Sequence, residues 1–170
     1  DSQGNIWISS FATGVSRYDG KSFMTLVESA GLTSNKVNDI GEDPAGNIWF
    51  ATDGGGLCRY NPNSLNYFDE SAGLNSKMVN SIAELEDGRI AFATDEGMVF
   101  FNDTSFLRLC LEQSENHQGG RAYDICRTQD NDVWFSILNH AVFRISQDSI
   151  RFYGRWQGIH DHNVTAIAQR

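Results

Sequence analysis

The sequence predicts an all-β chain that forms part of a β-propeller, and three observations lead to this fold class. The segment GNIWFATDGGGLCRYN at 46–61 has a near copy, GNIWISSFATGVSRYD, at 4–19, a spacing of 42 residues, and weaker copies follow at 88–103 and 131–146. Each repeat holds four strand-like runs with almost no helical periodicity. The run at 48–51 is apolar without alternation, which predicts neighbours on both faces of its sheet. Stacked four-stranded antiparallel sheets of this period are propeller blades.

The second repeat shows the four predicted strands, named A to D in chain order, most clearly. They are VNDIGED (37–43), NIWFATD (47–53), LCRYN (57–61) and LNYFD (65–69). The connections DPAGN (43–47), DGGG (53–56) and NPNS (61–64) carry the Pro, Gly and Asn residues of tight turns. The longer ESAGLNSKM (70–78) leads to the next strand A. Because the DGGG segment is followed by neither a Lys-Ser/Thr pair nor a helix, we interpret it as a hairpin turn and not as a phosphate cradle.

These strands define one partial propeller over residues 1–170. The predicted repeats span approximately 1–36, 37–78, 79–121 and 122–163, and residues 164–170 begin a further blade. The chain opens at strand B and closes at a strand A over 164–168, which makes sixteen strands, or four blades' worth. That last strand could close a small ring within one chain, close a larger ring between two chains, or belong to an open arc of a bigger propeller. We favour the last two, because blade faces this apolar must be covered.

Composition excludes several classes of partner. The chain has 13 basic and 22 acidic residues, a net charge of −9, and no basic stripe, which argues against nucleic acid and against contact with an anionic membrane. No apolar run approaches the roughly 20 residues that span a bilayer. The spacing of Cys58, Cys110 and Cys126 fits neither a CxxC redox motif nor a zinc site. We interpret Cys58 and Cys126 as small apolar residues within strands, and one incidental disulfide stays open.

Two residues that break the repeat are candidates for ligand binding. Strands run alternately up and down, so the B–C turns and the D–A loops share one face of the blades. On that face Trp156 stands where the second repeat has Ser71. A tryptophan there is either a packed loop anchor or a platform on which a sugar or a partner stacks. Arg155, beside it, could pair with a carboxylate or sulfate, or could be a solvated arginine.

Histidines are predicted on the same face. His160 and His162 lie in a D–A loop, as does His117, and His140 lies in a B–C turn. A metal ion bound by His160 and His162 would need two further ligands, so we predict no metal site. We include His140, His160 and His162 among the candidate ligand-binding residues and predict no cofactor.

The repeat also has a specific resemblance. The pattern D-x-x-G-N-I-W, then G-[LV]-x-R-Y-[DN], then G-L-x-S-[NK]-x-V-x-x-I resembles the two-component regulator propeller repeat, closely over 1–87 and in degenerate form over 88–170. Ala91 replaces the strand-B tryptophan, and SENHQGGRAYDI at 114–125 replaces the G-L-x-S segment. The resemblance implies a fragment of a larger, about seven-bladed propeller in the periplasmic sensor region of a hybrid two-component system, ahead of a membrane helix and a histidine kinase.

Three functions follow as hypotheses. The resemblance implies a non-catalytic extracytoplasmic sensor module that responds to oligosaccharides. The alternative is a scaffold with no ligand site of its own, which would form a homodimer through blade faces or edge strands. The third is a propeller glycoside hydrolase or lyase, for which Asp39 and Asp124 share one slot of strand A and could face the axis. Descent of both carboxylates from one ancestral repeat is the simpler explanation, so we do not predict an enzyme.

Overall fold

The computed structural model of this chain describes residues 1–110, 120–146, 149–160 and 163–169, and in these ranges the chain forms antiparallel β-sheets joined by turns. Blade 1 comprises β1 (Ile6–Ser10), β2 (Gly14–Tyr18) and β3 (Phe23–Leu26). Blade 2 comprises β4 (Val37–Glu42), β5 (Ile48–Thr52), β6 (Leu57–Asn61) and β7 (Ser64–Phe68). Blade 3 comprises β8 (Val79–Glu84), β9 (Ile90–Thr94), β10 (Gly97–Phe101) and β11 (Phe106–Arg108). Blade 4 comprises β12 (Ala122–Arg127), β13 (Val133–Ile137), β14 (Ala141–Ser146) and β15 (Ser149–Tyr153).

The predicted all-β propeller architecture is confirmed. In every blade, strands that are consecutive in the chain are neighbours in the sheet, and each pair is antiparallel. Blade 1 has three strands where the others have four, as expected for a chain that opens at strand B. Short 3₁₀ turns at Glu28–Ala30, Glu70–Ala72 and Arg155–Gln157 follow the outer strands of blades 1, 2 and 4. The described part of the chain holds no helix long and apolar enough to cross a membrane.

Inner strands of neighbouring blades are tied by repeated side-chain hydrogen bonds. The Asn38 amide donates to the Val79 carbonyl at 2.8 Å, and the Asn80 amide donates to the Ala122 carbonyl at 2.7 Å. A Cβ atom at Gly41 would lie 2.7 Å from Cγ2 of Ile82, so the inner strands approach too closely there for a larger residue. The inner strands of neighbouring blades are therefore in close contact near the inside of the arc.

The predicted strand at 164–168 is wrong, although the segment lies where that strand was expected. Residues 163–169 form no strand, but the Ile167 N–H donates to Asp124 at 2.7 Å. In the same way, the Ile82 N–H in the inner strand of blade 3 donates to Asp39 of blade 2 at 2.8 Å. In blades 2 to 4 the inner strand pairs with strand B of its own blade, and among the described residues this segment has no such strand beside it. It does not join β1 either, so the described residues form an open arc.

The core lies between blades and not within one sheet. Blades 1 and 2 enclose Val15, Leu32, Val37, Ile48, Phe50 and Cys58. Blades 2 and 3 enclose a larger cluster, which is Trp49, Ala51, Leu57, Leu74, Val79, Ile90, Phe92, Val99 and Phe101. A third cluster lies between blades 3 and 4, so each middle blade contributes side chains from both of its faces, as the unbroken apolar run of strand B predicted.

The tryptophans of strand B, which are Trp7, Trp49 and Trp134, are buried to an extent set by the neighbouring blades. Trp49 is fully buried, donates its indole N–H to Asp43 at 2.9 Å and packs on Phe92 of the next blade at 5.3 Å between ring centroids. Trp7 and Trp134, in the end blades, are half-buried. The half-buried state of Trp134 follows from its position, because none of the described residues forms a further blade against its face of blade 4.

The three cysteines lie in described parts of the chain and are free thiols. Cys58 is buried, and its Sγ atom lies 3.1 Å from the Thr33 hydroxyl. Burial raises the pKa of the Cys58 thiol, against the lowering effect of its hydrogen bonds with Thr33. The packing role predicted for Cys58 is therefore confirmed, and the incidental disulfide left open by the sequence is not formed.

Candidate functional site

The B–C turns and the D–A loops lie together on one face of the blades, which we call the upper face. The Asp53 N–H, in the β5–β6 turn, donates to the Lys36 carbonyl at 2.9 Å, and the Gly56 N–H donates to the Lys77 carbonyl at 2.9 Å. In blade 4 the Leu138 N–H donates to the Arg121 carbonyl at 2.8 Å. Backbone hydrogen bonds therefore hold each turn against the loops beside it and give this face a defined surface.

Trp156 lies on the upper face and is almost completely open to solvent. It occupies the middle of the 3₁₀ turn Arg155–Gln157, and 96% of its surface is exposed. The turn is held by the Gln157 side chain, which accepts the Gly154 N–H at 2.8 Å, and by Gly158 at a φ of 97°. Because the Gln157 side chain and backbone hydrogen bonds hold the turn while the indole stays exposed, Trp156 is not the packed loop anchor that the sequence also allowed. Its ring is free to stack on a ligand.

The other candidate residues lie partly in this turn and partly in other loops. Arg155 is exposed and adjoins Trp156 in the same turn, and His160 is exposed two residues after Gly158. His140 is half-buried in the β13–β14 turn, where a Cβ atom at Gly120 would lie 3.1 Å from its ring. His117 and His162 lie outside the described residues. The structure thus brings Arg155 and Trp156 into one turn and places His140 in a different loop of the same face.

A second cluster lies on the inner strands. Asp39 of blade 2, Ser81 of blade 3 and Asp124 of blade 4 form a line, with the Ser81 hydroxyl 3.1 Å from each carboxylate. Asp39 also accepts the backbone N–H groups of Ile40 and Ile82, both at 2.8 Å. Because one hydroxyl proton serves only one carboxylate at a time, the two acidic groups compete for Ser81. The cluster cross-links three blades.

Burial is the main reason why the pKa of Asp39 lies above its ordinary value. The nearby charge of Asp124 raises it further, and the hydrogen bonds from Ile82, Ile40 and Ser81 act in the opposite direction. Ser81 was not among the residues singled out from the sequence, so its position between the two carboxylates was not predicted. The signal was present, because Ser81 occupies the same slot as the two aspartates. No group of three or more His, Cys, Asp or Glu side chains suited to a metal ion occurs among the described residues.

This chain is similar to proteins of two-component systems. The model of the family described as "Two component regulator propeller" matches residues 31–54. Among solved structures, the extracellular domain of the hybrid two component system BT3049 from B. thetaiotaomicron superimposes with a TM-score of 0.80 at 25% identity, covering 94% of this chain. This chain spans only 23% of that domain. No curated protein matches the chain.

More distant structures share the fold. The extracellular domain of the hybrid two component system BT4673 from B. thetaiotaomicron superimposes with a TM-score of 0.73 at 19% identity over 90% of this chain and 22% of its own. A catalytically inactive virginiamycin B lyase from Staphylococcus aureus, in complex with quinupristin, gives 0.69 at 17% identity over 89% and 52%. The resemblance drawn from the sequence is confirmed: 94% of this chain superimposes on part of the extracellular domain of a hybrid two component system, and its residues 31–54 match the two-component regulator propeller model.

Proposed function

We propose that this chain is a non-catalytic part of the extracytoplasmic sensor propeller of a two-component receptor. The observation that carries the proposal is the match, over 94% of the chain, to part of the extracellular domain of a hybrid two component system. In such a receptor a histidine kinase elsewhere in the protein would receive the signal, and this chain would belong to the periplasmic region.

The proposed ligand is an oligosaccharide bound on the upper face. Trp156 supports this choice, since an indole with 96% of its surface exposed offers an apolar face to the C–H side of a sugar ring. Arg155, in the same turn, offers a charged donor to a carboxylate or sulfate of an acidic sugar. His140 and His160 are further polar groups of the same face, and His162 stays a candidate from the sequence.

Catalysis by Asp39 and Asp124 is not proposed. Each carboxylate lies within hydrogen-bond distance of the Ser81 hydroxyl and accepts two backbone N–H groups, from Ile40 and Ile82 for Asp39 and from Ile125 and Ile167 for Asp124. These bonds explain both carboxylates as links between blades. Lyases among the similar structures are at most 20% identical to this chain, a level that indicates a shared fold and not a shared reaction.

A binding screen tests the proposal. The protein would be titrated calorimetrically with a panel of neutral and acidic oligosaccharides, and at least one should bind saturably. Trp156→Ala should weaken that binding about tenfold, which is the upper range for one aromatic stacking contact, and Trp156→Phe should weaken it less. Phe11→Ala is the matched control, because Phe11 is also an exposed aromatic residue of the upper face, in blade 1. Absence of binding to every oligosaccharide, or equal binding by Trp156→Ala, would refute this part of the proposal.

The second candidate function is a scaffold that self-associates through a blade face. The observation that favours it is the open face of blade 1, where Ile6, Ile8 and Phe23 are 58%, 47% and 65% exposed. Light scattering across a concentration series should then show a homodimer of the 19.0 kDa chain, and Ile8→Ser should shift it toward monomer. Trp156→Ala should leave the dimer intact if Trp156 is a ligand platform, whereas a loss of the dimer would make it an interface residue.

A further inference from the structure

A groove of about 630 Å³ opens between blades 3 and 4 on the lower face, where the A–B and C–D turns lie. Its apolar walls are Leu85, Phe100 and Leu109 from blade 3 and Val133, Ile145 and Ile150 from blade 4. The volume lies within the range of roughly 300–1,000 Å³ that is typical of small-molecule sites. Trp156 and the other candidates of the upper face lie at the opposite end of the blades.

The groove is located where blade 3 lacks aromatic side chains that fill the equivalent space in blade 2. In blade 2 the Trp49 indole donates to Asp43 and stacks on Phe68 at 5.2 Å between centroids. The corresponding residues of blade 3 are Ala91, Leu85 and Leu109. Phe100 takes the place of Arg59 opposite strand B, as the strand registers show. Replacing an indole by a methyl group and a phenyl ring by an isobutyl group leaves room between the blades.

The rim of the groove is strongly acidic. Its charged residues are Glu86, Asp87, Asp130, Asp132 and a single cation, Arg89. Arg89 is bound to Asp87 at 2.7 Å and stacks over Phe100 at 5.2 Å, and Asp132 accepts Arg144. Hydrogen bonds hold the pKa of both Asp87 and Asp132 below the ordinary value, from Arg89 in the first case and from Ser146 and Arg144 in the second.

Two rim carboxylates have no partner in the described structure. Glu86 and Asp130 are both exposed, and neither makes an ion pair or a side-chain hydrogen bond within the described ranges. They belong to the A–B turns of blades 3 and 4, on the two sides of the groove. An occupant with a positive charge would therefore be attracted by both sides at once, and an anion would be repelled.

We propose that this groove is a second binding site, which takes a small organic cation with an aromatic or aliphatic body. The apolar body would lie against Phe100, Leu109 and Ile145, in space that an indole occupies in blade 2. The cationic group would lie at the rim between Glu86 and Asp130. The site is independent of the oligosaccharide function, because it lies on the other face and uses none of the same residues.

Tryptamine is a suitable probe, since it combines an indole ring with a primary ammonium group. Titration of the protein with tryptamine at low ionic strength should show one site with a Kd on the order of a millimolar or tighter, as expected for a ligand of this size. Indole-3-propionate has the same ring and the opposite charge, and it should bind at least roughly tenfold more weakly. Equal binding of the two compounds, or no saturable binding of tryptamine, would overturn the proposal.

The rim is tested by the double variant Glu86→Gln, Asp130→Asn. Both residues are exposed, so the fold should be retained. Tryptamine affinity should fall by up to about fivefold for each carboxylate removed, and its dependence on salt should become weaker. Glu96→Gln is the matched control, because Glu96 is an exposed acid of blade 3 in the β9–β10 turn of the upper face. The proposal fails if the control lowers the affinity as much as the double variant does.

The apolar wall is tested by Leu109→Trp, which returns an aromatic ring to the position of Phe68. Leu109 is half-buried beside the groove, and its larger replacement should fill the space and abolish tryptamine binding. If this variant does not fold, the rim variant still decides the question. Unchanged affinity in a folded Leu109→Trp protein would place tryptamine elsewhere and overturn the assignment. Trp156→Ala should leave tryptamine binding unchanged, so failure of the oligosaccharide proposal does not affect this result.

Discussion

Strands β1 and β5 occupy the same position of the repeat, share their first two residues and have opposite surroundings. Both begin with Ile-Trp in the segment GNIW, and both pair with a strand that carries Arg-Tyr. All five residues of β5 are buried, whereas those of β1 alternate between exposed and half-buried. Phe50 is 0% exposed, and Ile8 at the same position is 47% exposed. The repeat therefore encodes a strand for a two-sided interface, and the neighbouring blade decides whether that interface exists.

The largest expected difference in stability comes from truncating the side chain at the position that Phe50 and Ile8 share. Phe50→Ala should lower the free energy of unfolding by about 3–5 kcal/mol, because it leaves a cavity between blades 1 and 2. Ile8→Ala should change it by less than about 1 kcal/mol, because much of the side chain is already in water. Urea denaturation of both variants gives the two values. Similar losses would mean that the face of blade 1 is covered in solution, and light scattering would then reveal the partner copy.

A smaller difference in the loss of stability is expected between alanine substitutions of two serines. Ser81→Ala, in the middle of the arc, removes the hydroxyl that bridges Asp39 and Asp124 and should cost about 1–3 kcal/mol. Ser16→Ala is the matched change in blade 1, where the hydroxyl lies 3.3 Å from Thr25 in an exposed pair, and should cost less than about 0.5 kcal/mol. Thermal and urea unfolding would measure both. Equal effects would argue that Ser81 adds nothing to the contact between inner strands.

The contribution of Asp39 to stability should depend on pH, which tests the surroundings of one residue in the middle of the arc. Because its pKa in the folded state lies above the ordinary value of 3.8, its favourable contribution to stability is complete below about pH 3.8. That contribution is lost as the pH rises through the folded-state pKa. Asp124→Asn removes a neighbouring negative charge and should lower the pKa of Asp39.

Carboxyl NMR titration of Asp39 in the protein and in Asp124→Asn measures this shift directly. Asp130→Asn serves as the control, since Asp130 lies on the lower-face rim and does not contact Asp39. An Asp39 pKa at or below 3.8, or one that is insensitive to Asp124→Asn, would contradict the coupling between the two carboxylates.

Much of the fold could be predicted because its signals are local. The glycines of the β5–β6 turn, the unbroken apolar run of β5 and the repeat spacing together predict four-stranded sheets that stack. The strand predicted at 164–168 was wrong because a strand is defined by its partner, and Ile167 contacts Asp124 without a strand B beside it. Among the site residues, the sequence singled out Trp156, but the choice between a packed and an exposed indole needed the structure.

The sequence by itself determined the repeat, the order of strands in each blade and the burial of Trp49, because turn chemistry and apolar patterning act within a few residues. Only the tertiary structure decided how far β1 is exposed, that Ser81 joins Asp39 to Asp124 and that a groove opens beside Phe100. These features depend on surfaces brought together from repeats more than 40 residues apart, as the separation of 42 residues between Ser81 and Asp39 shows. Repeats with similar sequences therefore differ in exposure and packing according to what lies against them.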